Sequence, residues 1–349
     1  MELVKLNIDG KEVEVPAGTT VLQAADEAGV HIPRLCYDPE LSLAGACRLC
    51  MVEIEGWRGM AASCITEVSP GMLVKTDTPD LAEVRKTILE LLVANNPELA
   101  SNAKGNNVLA KYCEQYGVKD SPFKGETNYY EIDDSNPFIV RDFSLCILCG
   151  KCVRACTEMT GQDNLGFLNR GYDRKATTAG DVDYINSDCV FCGQCVAVCP
   201  TGALSEKSLT DFARDELKTV RTTCPFCGTG CNFDLAVKDD KIVGVLSNPE
   251  SPVNGRSLCV KGRFGWDFVH NEKRLKTPLI KKHGQFVTAS WDEAMDLIAE
   301  RFKEIKDQYG SESFAALSSA RCTNEENYLV QKFTRAVMST NNVDHCART

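Results

Sequence analysis

Two short runs, CILCGKCVRAC at residues 146–156 and CVFCGQCVAVCP at residues 189–200, limit what this chain can fold into more than any other feature. Both repeat the spacing CxxCxxCxxxC, the clear internal repeat of the sequence. Three thiolates at this pitch wrap one face of an iron–sulfur cube better than they surround a tetrahedral zinc ion. Where two such runs share a domain, the fourth cysteine of each serves the other cluster. The spacing therefore predicts Cys146, Cys149, Cys152 and Cys199 around one 4Fe-4S cluster, and Cys189, Cys192, Cys195 and Cys156 around a second.

The chain holds 19 cysteines in 349 residues. Its N-terminus, MELVKLNIDG, enters a strand pattern directly and lacks the charged-then-apolar plan of a signal peptide. No stretch nears the roughly 18 apolar residues of a membrane span. A cytoplasmic location is expected, where disulfides are rare and metal ligation is the leading use of so many thiols. Cys36, Cys47, Cys50 and Cys64 put three thiols in one loop and a fourth beyond it, as a 2Fe-2S cluster is held, although the first gap is longer than in plant-type ferredoxins. Zinc is the alternative, yet only Cys47 and Cys50 form the tight pair that zinc sites prefer. The last set is Cys224, Cys227 and Cys231 in CPFCGTGC, with Cys259 in SLCVKGRFGWDF. By spacing alone it suits zinc and a 4Fe-4S cluster equally, and only its neighbours tilt it to iron and sulfur. These sets use 16 of the cysteines; Cys113, Cys322 and Cys346 are left, and are expected to be small buried apolar residues.

Lys plus Arg number 39 against 49 Asp plus Glu, a net charge of −10, which offers no footprint for nucleic acid or anionic lipid. His31, His270, His283 and His345 fall in no ligand spacing, and no glycine-rich nucleotide loop is present. The periodicity predicts an α+β multidomain chain. Residues 3–8 and 11–15 alternate about an Asp9-Gly10 turn, and a helix capped by Thr20 and Gln23 follows. Strand, strand, helix and a cysteine loop is the order of a β-grasp domain, over 1–78. A helical linker, 79–138, opens at Thr78-Pro79 with Leu81, Val84, Ile88, Leu91 and Leu92 on one face. The paired runs occupy 139–210 and the last cysteine set 218–275, where CNFDLAV and KIVGVLS read as strands. The remainder, 276–349, reads as the start of a parallel α/β domain: a helix capped by Ser290 and Glu293, the strand FAALSSA, a helix capped by Thr323 and Glu326 through about Met338, and a further strand due in NNVDHCART.

The segment CPFCGTGC…NGRSLCVKGRFG resembles the N-terminal cluster domain of molybdenum or tungsten bis-pterin oxidoreductases, and FTRAVMSTNNVDHCART is similar to cytosolic formate dehydrogenases. The resemblance spans essentially the whole chain, the N-terminal 2Fe-2S domain included, as in catalytic subunits of NAD(P)-linked or electron-bifurcating members. It implies one 2Fe-2S cluster, three 4Fe-4S clusters and a Mo or W bis-pterin guanine dinucleotide in the full-length enzyme. Lys261 matches the family lysine that relays electrons between the nearest cluster and a pterin. In that family a catalytic selenocysteine or cysteine follows the CARx tetrapeptide, here residues 346–349. The expectation is a chain that stops where a UGA selenocysteine codon is read as termination, inactive on formate by itself.

Relatives also carry a His/Cys3 cluster after the first helix. At those positions this sequence has Asn96, Ala100, Ala103 and Leu109, so that cluster is expected to be absent and electrons must take another route. The implied function is electron transfer in formate oxidation or carbon dioxide reduction, with flavin-containing NAD(P)-reducing or ferredoxin- or hydrogenase-type redox subunits as partners. The alternative is a multi-cluster carrier subunit of a hydrogenase or NADH-dehydrogenase-like complex. The large subunit of complex I lacks the paired runs, and an iron-only hydrogenase shares them, but its following catalytic motifs are absent where CPFCGTGC stands.

Overall fold

The alternating N-terminal segments pair as the sequence predicts in the computed structural model, which describes residues 2–101, 107–123, 125, 127–128 and 130–346. Strands β1 (Leu3–Ile8) and β2 (Lys11–Pro16) form an antiparallel hairpin with Val4 opposite Val15 and Leu6 opposite Val13. The turn needs two left-handed residues, and Asp9 and Gly10 supply them. Helix α1 (Val21–Glu27) opens on a complete capping box between Thr20 and Gln23 and buries Val21, Leu22, Ala24 and Ala25. Strands β3 (Met51–Ile54), β4 (Ala61–Ala62) and β5 (Leu73–Lys75) complete a five-stranded sheet in the order β2-β1-β5-β3-β4, with β1 and β5 parallel. This is the β-grasp arrangement, and Ile8, Val15, Leu22, Ile32 and Val52 are fully buried in its core.

Helix α2 (Pro79–Leu92) begins where expected, with Thr78 as its cap; Leu81 of the predicted stripe is fully buried and Ile88 and Leu92 pack on the core, but Leu91 falls outside the buried face and Arg85 joins it. Leu81, Arg85, Leu89 and Val93 point inward, whereas Leu91 is 54% exposed. The reason is Arg85, 2% exposed, whose Nη2 donates to the carbonyls of Met51 and Thr76 at 2.8 Å each and whose Nη1 donates to the Tyr116 hydroxyl. A buried guanidinium with such partners turns the helix toward them, and hydrophobic periodicity does not register it. Helix α3 (Val108–Gln115) packs beside α2 and encloses Leu109 and Cys113 in a second core shared with Cys36, Cys47 and Cys149.

Next come β6 (Ile139–Arg141), α4 (Lys151–Arg154), β7 (Leu165–Leu168), β8 (Lys175–Thr178), α5 (Gln194–Val198) and β9 (Leu204–Glu206). β6 pairs with β9 and β7 with β8, both antiparallel. The chain divides by its internal packing into two units, Met1–Lys218 and Thr219–Thr349.

In the second unit, β10 (Lys218–Thr223), β11 (Asn232–Lys238) and β12 (Lys241–Leu246) make a three-stranded sheet, followed by α6 (Val260–Phe264). A hairpin of β13 (Leu279–Lys282) and β14 (Gln285–Thr288) turns at His283 and Gly284; the sequence reading passes over it. Helix α7 (Trp291–Tyr309) is capped by Ser290, and its stripe of Met295, Ile298, Phe302 and Ile305 is at least one-third exposed. Strand β15 (Ala316–Ser319), helix α8 (Asn324–Lys332) and strand β16 (Val343–Cys346) follow, with β16 parallel to β15 as the α/β reading requires. The predicted helix to Met338 is regular only to Lys332; Phe333–Val337 form a wider turn, where the Thr334 hydroxyl donates to the carbonyl of Val330. Ala347, Arg348 and Thr349 of the CART segment lie outside the described residues, as does Ala103 of the linker. Among the described residues no helix is long and apolar enough to cross a membrane.

Candidate metal centres

The two CxxCxxCxxxC runs adopt one loop conformation twice. Leu148 and Gly150 are left-handed at φ 55° and 74°, and Phe191 and Gly193 match them at 54° and 71°. This curl turns the Leu148 and Phe191 amides back to Cys146 Sγ and Cys189 Sγ, at 3.4 Å each. Gly150 has a second constraint, since a Cβ there would lie 3.3 Å from the Phe167 ring. One cavity is lined by Cys146, Cys149, Cys152 and Cys199; another is lined by Cys156, Cys189, Cys192 and Cys195. The fourth cysteine of each run lines the cavity of the other run's first three.

Both cavities are poor places for bare thiolates. Burial, with the charges of neighbouring cysteines added, pushes Cys146 up to about 11, Cys149 to about 12 and Cys195 to about 12. Four such sulfurs around one space suit a cluster whose iron charge compensates them. Among the described residues no three Cys, His, Asp or Glu side chains are set to hold a single metal ion. Tyr184 and Leu165 line both cavities. Tyr184 is 1% exposed, and its hydroxyl stands 3.9 Å from Cys195 Sγ. The Arg141 guanidinium lies 4.7 Å from the centre of that ring and is held by Asp133 at 2.9 Å. Sequence reading names neither residue, because nothing in the Cys spacing points to a tyrosine five residues before Cys189.

The first set is tighter. Cys36, Cys47, Cys50 and Cys64 are all buried, and their thiols touch in the series Cys47, Cys36, Cys64, Cys50. Hydrogen bonds from Cys47 and Cys64 pull the Cys36 thiol well down, while the same contact with Cys36, followed by burial, drives Cys47 up. The loop is anchored from outside its own domain. Arg154 Nη2 donates to the Cys36 carbonyl at 2.6 Å, and its Nη1 donates to the Ser42 carbonyl. Lys151 meets Asp38 at 3.0 Å with both side chains largely buried, and Glu158 accepts from the Ser42 amide at 2.7 Å. Leu41 packs on Ala155, Val198 and Met159.

The third set is more open. Cys224 is buried, Cys227 and Cys231 are half-buried, and Cys259 is exposed at the start of α6. The backbone nevertheless gathers them: the Cys224 amide donates to the Cys231 carbonyl at 2.8 Å, and a Cβ on Gly262 would lie 3.8 Å from Cys224 Sγ. Lys261 is exposed on the first turn of α6. The Gly228 amide reaches the Ala320 carbonyl at 3.3 Å, so the cysteine loop abuts the carboxyl end of β15, while Cys346 Sγ at the end of β16 lies 3.2 Å from the Ser319 hydroxyl. Of the leftover thiols, Cys113 is fully buried and burial pushes it up to about 11, as expected of a core residue. Cys322 and Cys346 depart from that expectation, being half-buried and exposed; Cys322 follows β15 and Cys346 is the last residue of β16.

At the positions of the missing His/Cys3 set, Asn96 Nδ2 donates to the Ser144 carbonyl at 3.1 Å, Ala100 is half-buried, and Leu109 is fully buried in the core. His31 meets the Tyr112 hydroxyl, and His270 accepts from the Ile242 amide.

Four families match the chain in series. They are a 2Fe-2S iron-sulfur cluster binding domain at residues 1–79, a 4Fe-4S dicluster domain at 145–203, a molybdopterin oxidoreductase Fe4S4 domain at 217–271, and molybdopterin oxidoreductase at 274–349. The chain is similar to a protein of Rhizobium meliloti named as a subunit of NADH-quinone oxidoreductase, 37% identical over 99% of this chain and 40% of that protein. It is similar to a putative formate dehydrogenase, YrhE, of Bacillus subtilis, 34% identical over 99% of this chain and 40% of the relative. The alpha subunit of the NADPH-Fe(3+) oxidoreductase of Geobacter sulfurreducens is 37% identical with the same coverage. The chain thus spans about 40% of the length of these relatives. Among solved structures, a chain of an NAD+-reducing [NiFe]-hydrogenase in the H2-reduced state aligns with a TM-score of 0.54 and 33% identity, covering 58% of this chain and 87% of that one.

Proposed function

By its four modules in this order the chain belongs to the iron–sulfur molybdopterin oxidoreductases, and we propose that it is the electron-transfer portion of a formate dehydrogenase. The observation that carries the electron-transfer part is the pair of crossed cavities, each lined by three cysteines of one run and the fourth of the other. Formate as substrate rests on FTRAVMSTNNVDHCART and on the putative formate dehydrogenases among the relatives.

In this reading Cys36, Cys47, Cys50 and Cys64 hold a 2Fe-2S cluster, and the crossed sets and Cys224, Cys227, Cys231 and Cys259 hold three 4Fe-4S clusters. When bound, these supply one-electron carriers between a Mo or W bis-pterin centre and a redox partner subunit. The chain's own residues do the rest. Apolar side chains such as Ile147 and Leu165 keep water from the sulfurs, and the Leu148 and Phe191 amides offset negative charge on Cys146 and Cys189. Lys261 brings a positive charge beside Cys259, and the carboxyl ends of β15 and β16 form the kind of edge at which α/β sheets bind ligands.

A second reading has its own support in the relative named as an NADH-quinone oxidoreductase subunit and in the hydrogenase likeness: a carrier subunit of a complex of that kind. The test is anaerobic purification of the complex from its producing cells, with metal analysis and low-temperature EPR. About 14 iron atoms per chain are expected, two from a 2Fe-2S and twelve from three 4Fe-4S clusters. Cluster signals that develop on adding formate, with Mo or W present, support the dehydrogenase. Signals that develop with NADH or H2 but never with formate transfer the assignment to the carrier; zinc in place of iron ends both.

A further inference from the structure

The face of the β-grasp sheet opposite its core carries an open groove of about 750 Å³, and no cysteine lines it. Strand alternation places it there: Ile54 and Val74 turn into the core, so Glu53, Leu73 and Lys75 turn outward, with Glu53 opposite Lys75 in the register. After β3 the chain passes through Gly56 and Gly59, left-handed at φ 81° and 79°, and this loop raises Trp57 at the groove, 53% exposed beside a Leu73 that is 46% exposed. Asp9 from the hairpin turn, Glu55 and Asp80 from the first turn of α2 complete the wall. It thus carries four carboxylates against the single ammonium of Lys75. Asp9 accepts from the Thr76 amide and hydroxyl and Glu53 from the Thr78 hydroxyl, but these donors are neutral and leave the charge in place. Among the described residues, neither Glu55 nor the Trp57 ring has a side-chain partner. Asp80 suits the positive end of a helix, whereas Glu55 and Trp57 serve no need of the fold: gathered carboxylates repel one another, and a ring left in water buries nothing.

We propose that this groove is a docking site for a basic loop of a partner protein subunit, one that presents Lys or Arg beside an apolar side chain. It rests on the preceding reading only in taking the chain as one subunit of a redox complex. A cation of the loop lies over Trp57 and pairs with Glu55 and Glu53 by charge-assisted hydrogen bonds, while its apolar neighbour covers Leu73. An exposed tryptophan ringed by charge is the kind of anchor that dominates an interface. Nucleic acid and anionic lipid are repelled by the wall. A second copy cannot dock there by the same face either, since a two-fold contact would set carboxylates against carboxylates. The groove grips the partner without being the place where electrons cross: Cys50 precedes β3, whereas the groove takes the far end of that strand and the loop beyond it.

The test uses the complex purified from its producing cells. A carbodiimide, which joins a carboxylate directly to a lysine amine, should link Glu55 or Asp80 to a lysine of another subunit, read by peptide mass spectrometry. Trp57→Ala should raise the dissociation constant of the complex about thirtyfold, the size expected of an anchor residue. Glu55→Lys should raise it roughly tenfold at low salt, an effect that fades by about 0.5 M salt. Both variants should keep the 2Fe-2S EPR signal of the wild type, because no thiol lines the groove. Glu14→Lys, a charge reversal on β2 outside the groove, should leave the affinity unchanged. Links confined to this chain or joining two copies of it, a chain that purifies alone, or wild-type affinity in both Trp57→Ala and Glu55→Lys overturns the proposal. So does loss of the 2Fe-2S signal in Trp57→Ala, which would make the ring part of the cluster's support. The cross-link is read by mass whatever the thiols hold, so zinc in place of iron would end the ligand assignment and leave the groove to its own result.

Discussion

Tyr184→Phe removes one oxygen atom from a residue shared by two cavities, and its effect should fall on one of them. The hydroxyl lies 3.9 Å from Cys195 Sγ in a site only 1% exposed, and Cys195 lines the cavity it shares with Cys156, Cys189 and Cys192. A hydrogen bond to a ligand sulfur favours the more negative, reduced cluster and raises its potential. A net hydrogen bond is worth ~0.5–1.5 kcal/mol, and a long contact to sulfur belongs at the weak end. If ~0.5–1 kcal/mol of it differs between redox states, and a tenfold change, ~1.4 kcal/mol, is 59 mV for one electron, the midpoint falls by about 20–40 mV. The ring remains, so the Arg141 stacking at 4.7 Å and the wall toward the other cavity persist. The assay is potentiometric EPR of the loaded protein, with Cys156→Ser used to identify which cubane signal belongs to this cavity. A shift in the signal that survives Cys156→Ser, or no shift in the one that does not, refutes the reasoning.

The crossed ligation makes a sharper statement about iron. Cys199→Ser should deplete the cubane of Cys146, Cys149 and Cys152, and Cys156→Ser the other, each detected as selective loss of one EPR signal; the reverse pattern would mean uncrossed runs. Asp133→Asn should destabilise the paired-run domain by about 3 kcal/mol at pH 7, since it strands a buried Arg141 whose side chain is 4% exposed. Burial alone would raise the Asp133 carboxyl, but hydrogen bonds from Ser135 and the Tyr184 amide and the charge of Arg141 hold it below its ordinary value. A depressed carboxyl gives stability that is full above the unfolded pKa, about 3.9, and is lost as pH falls through the lower folded value. Urea midpoints of wild type and Asp133→Asn should therefore converge below about pH 4 and not before. Thr157→Pro should interrupt the turn after Cys156 and release Glu158 and Met159 from Ser42 and Leu41, detected as faster hydrogen exchange at the Ser42 amide while both cubanes stay loaded.

Much of this architecture was legible because its signals are local. The Thr20 and Gln23 capping box, the Asp9-Gly10 turn and the CxxCxxCxxxC pitch each fix a few neighbouring residues, and each appears in the structure where the sequence puts it. What escaped is what depends on distant partners. Arg85 reads as a polar interruption of an apolar stripe, yet two carbonyls and a hydroxyl supplied by residues 51, 76 and 116 make it a core residue. Arg154 reads as a surface charge until the Cys36 and Ser42 carbonyls, more than a hundred residues earlier, are brought to it. The hairpin of residues 279–288 was missed for another reason: its lysines and Phe286 are exposed, so the alternation that marks a half-buried strand is weak.

The two halves of the internal repeat are alike up to the third cysteine and differ after it, and one residue accounts for the difference. In the second run Cys199 precedes Pro200, which favours extended backbone in the residue before it, and Cys199 sits at φ −69°, ψ 119°, ending α5. In the first run Thr157 stands in the corresponding place, so the backbone continues helically beyond Arg154 as a wider turn through Ala155–Met159. Wide turns of this kind insert one extra residue per hydrogen-bonded ring and are found at functional sites. Here the extra length sets Glu158 and Met159 against Ser42 and Leu41 while leaving Cys156 to cross to the other run's cavity. The second run has no counterpart of Arg154, Glu158 or Met159, because AVCPTG replaces RACTEM. The repeat thus holds two like clusters with its common part and grips the first domain with its divergent part.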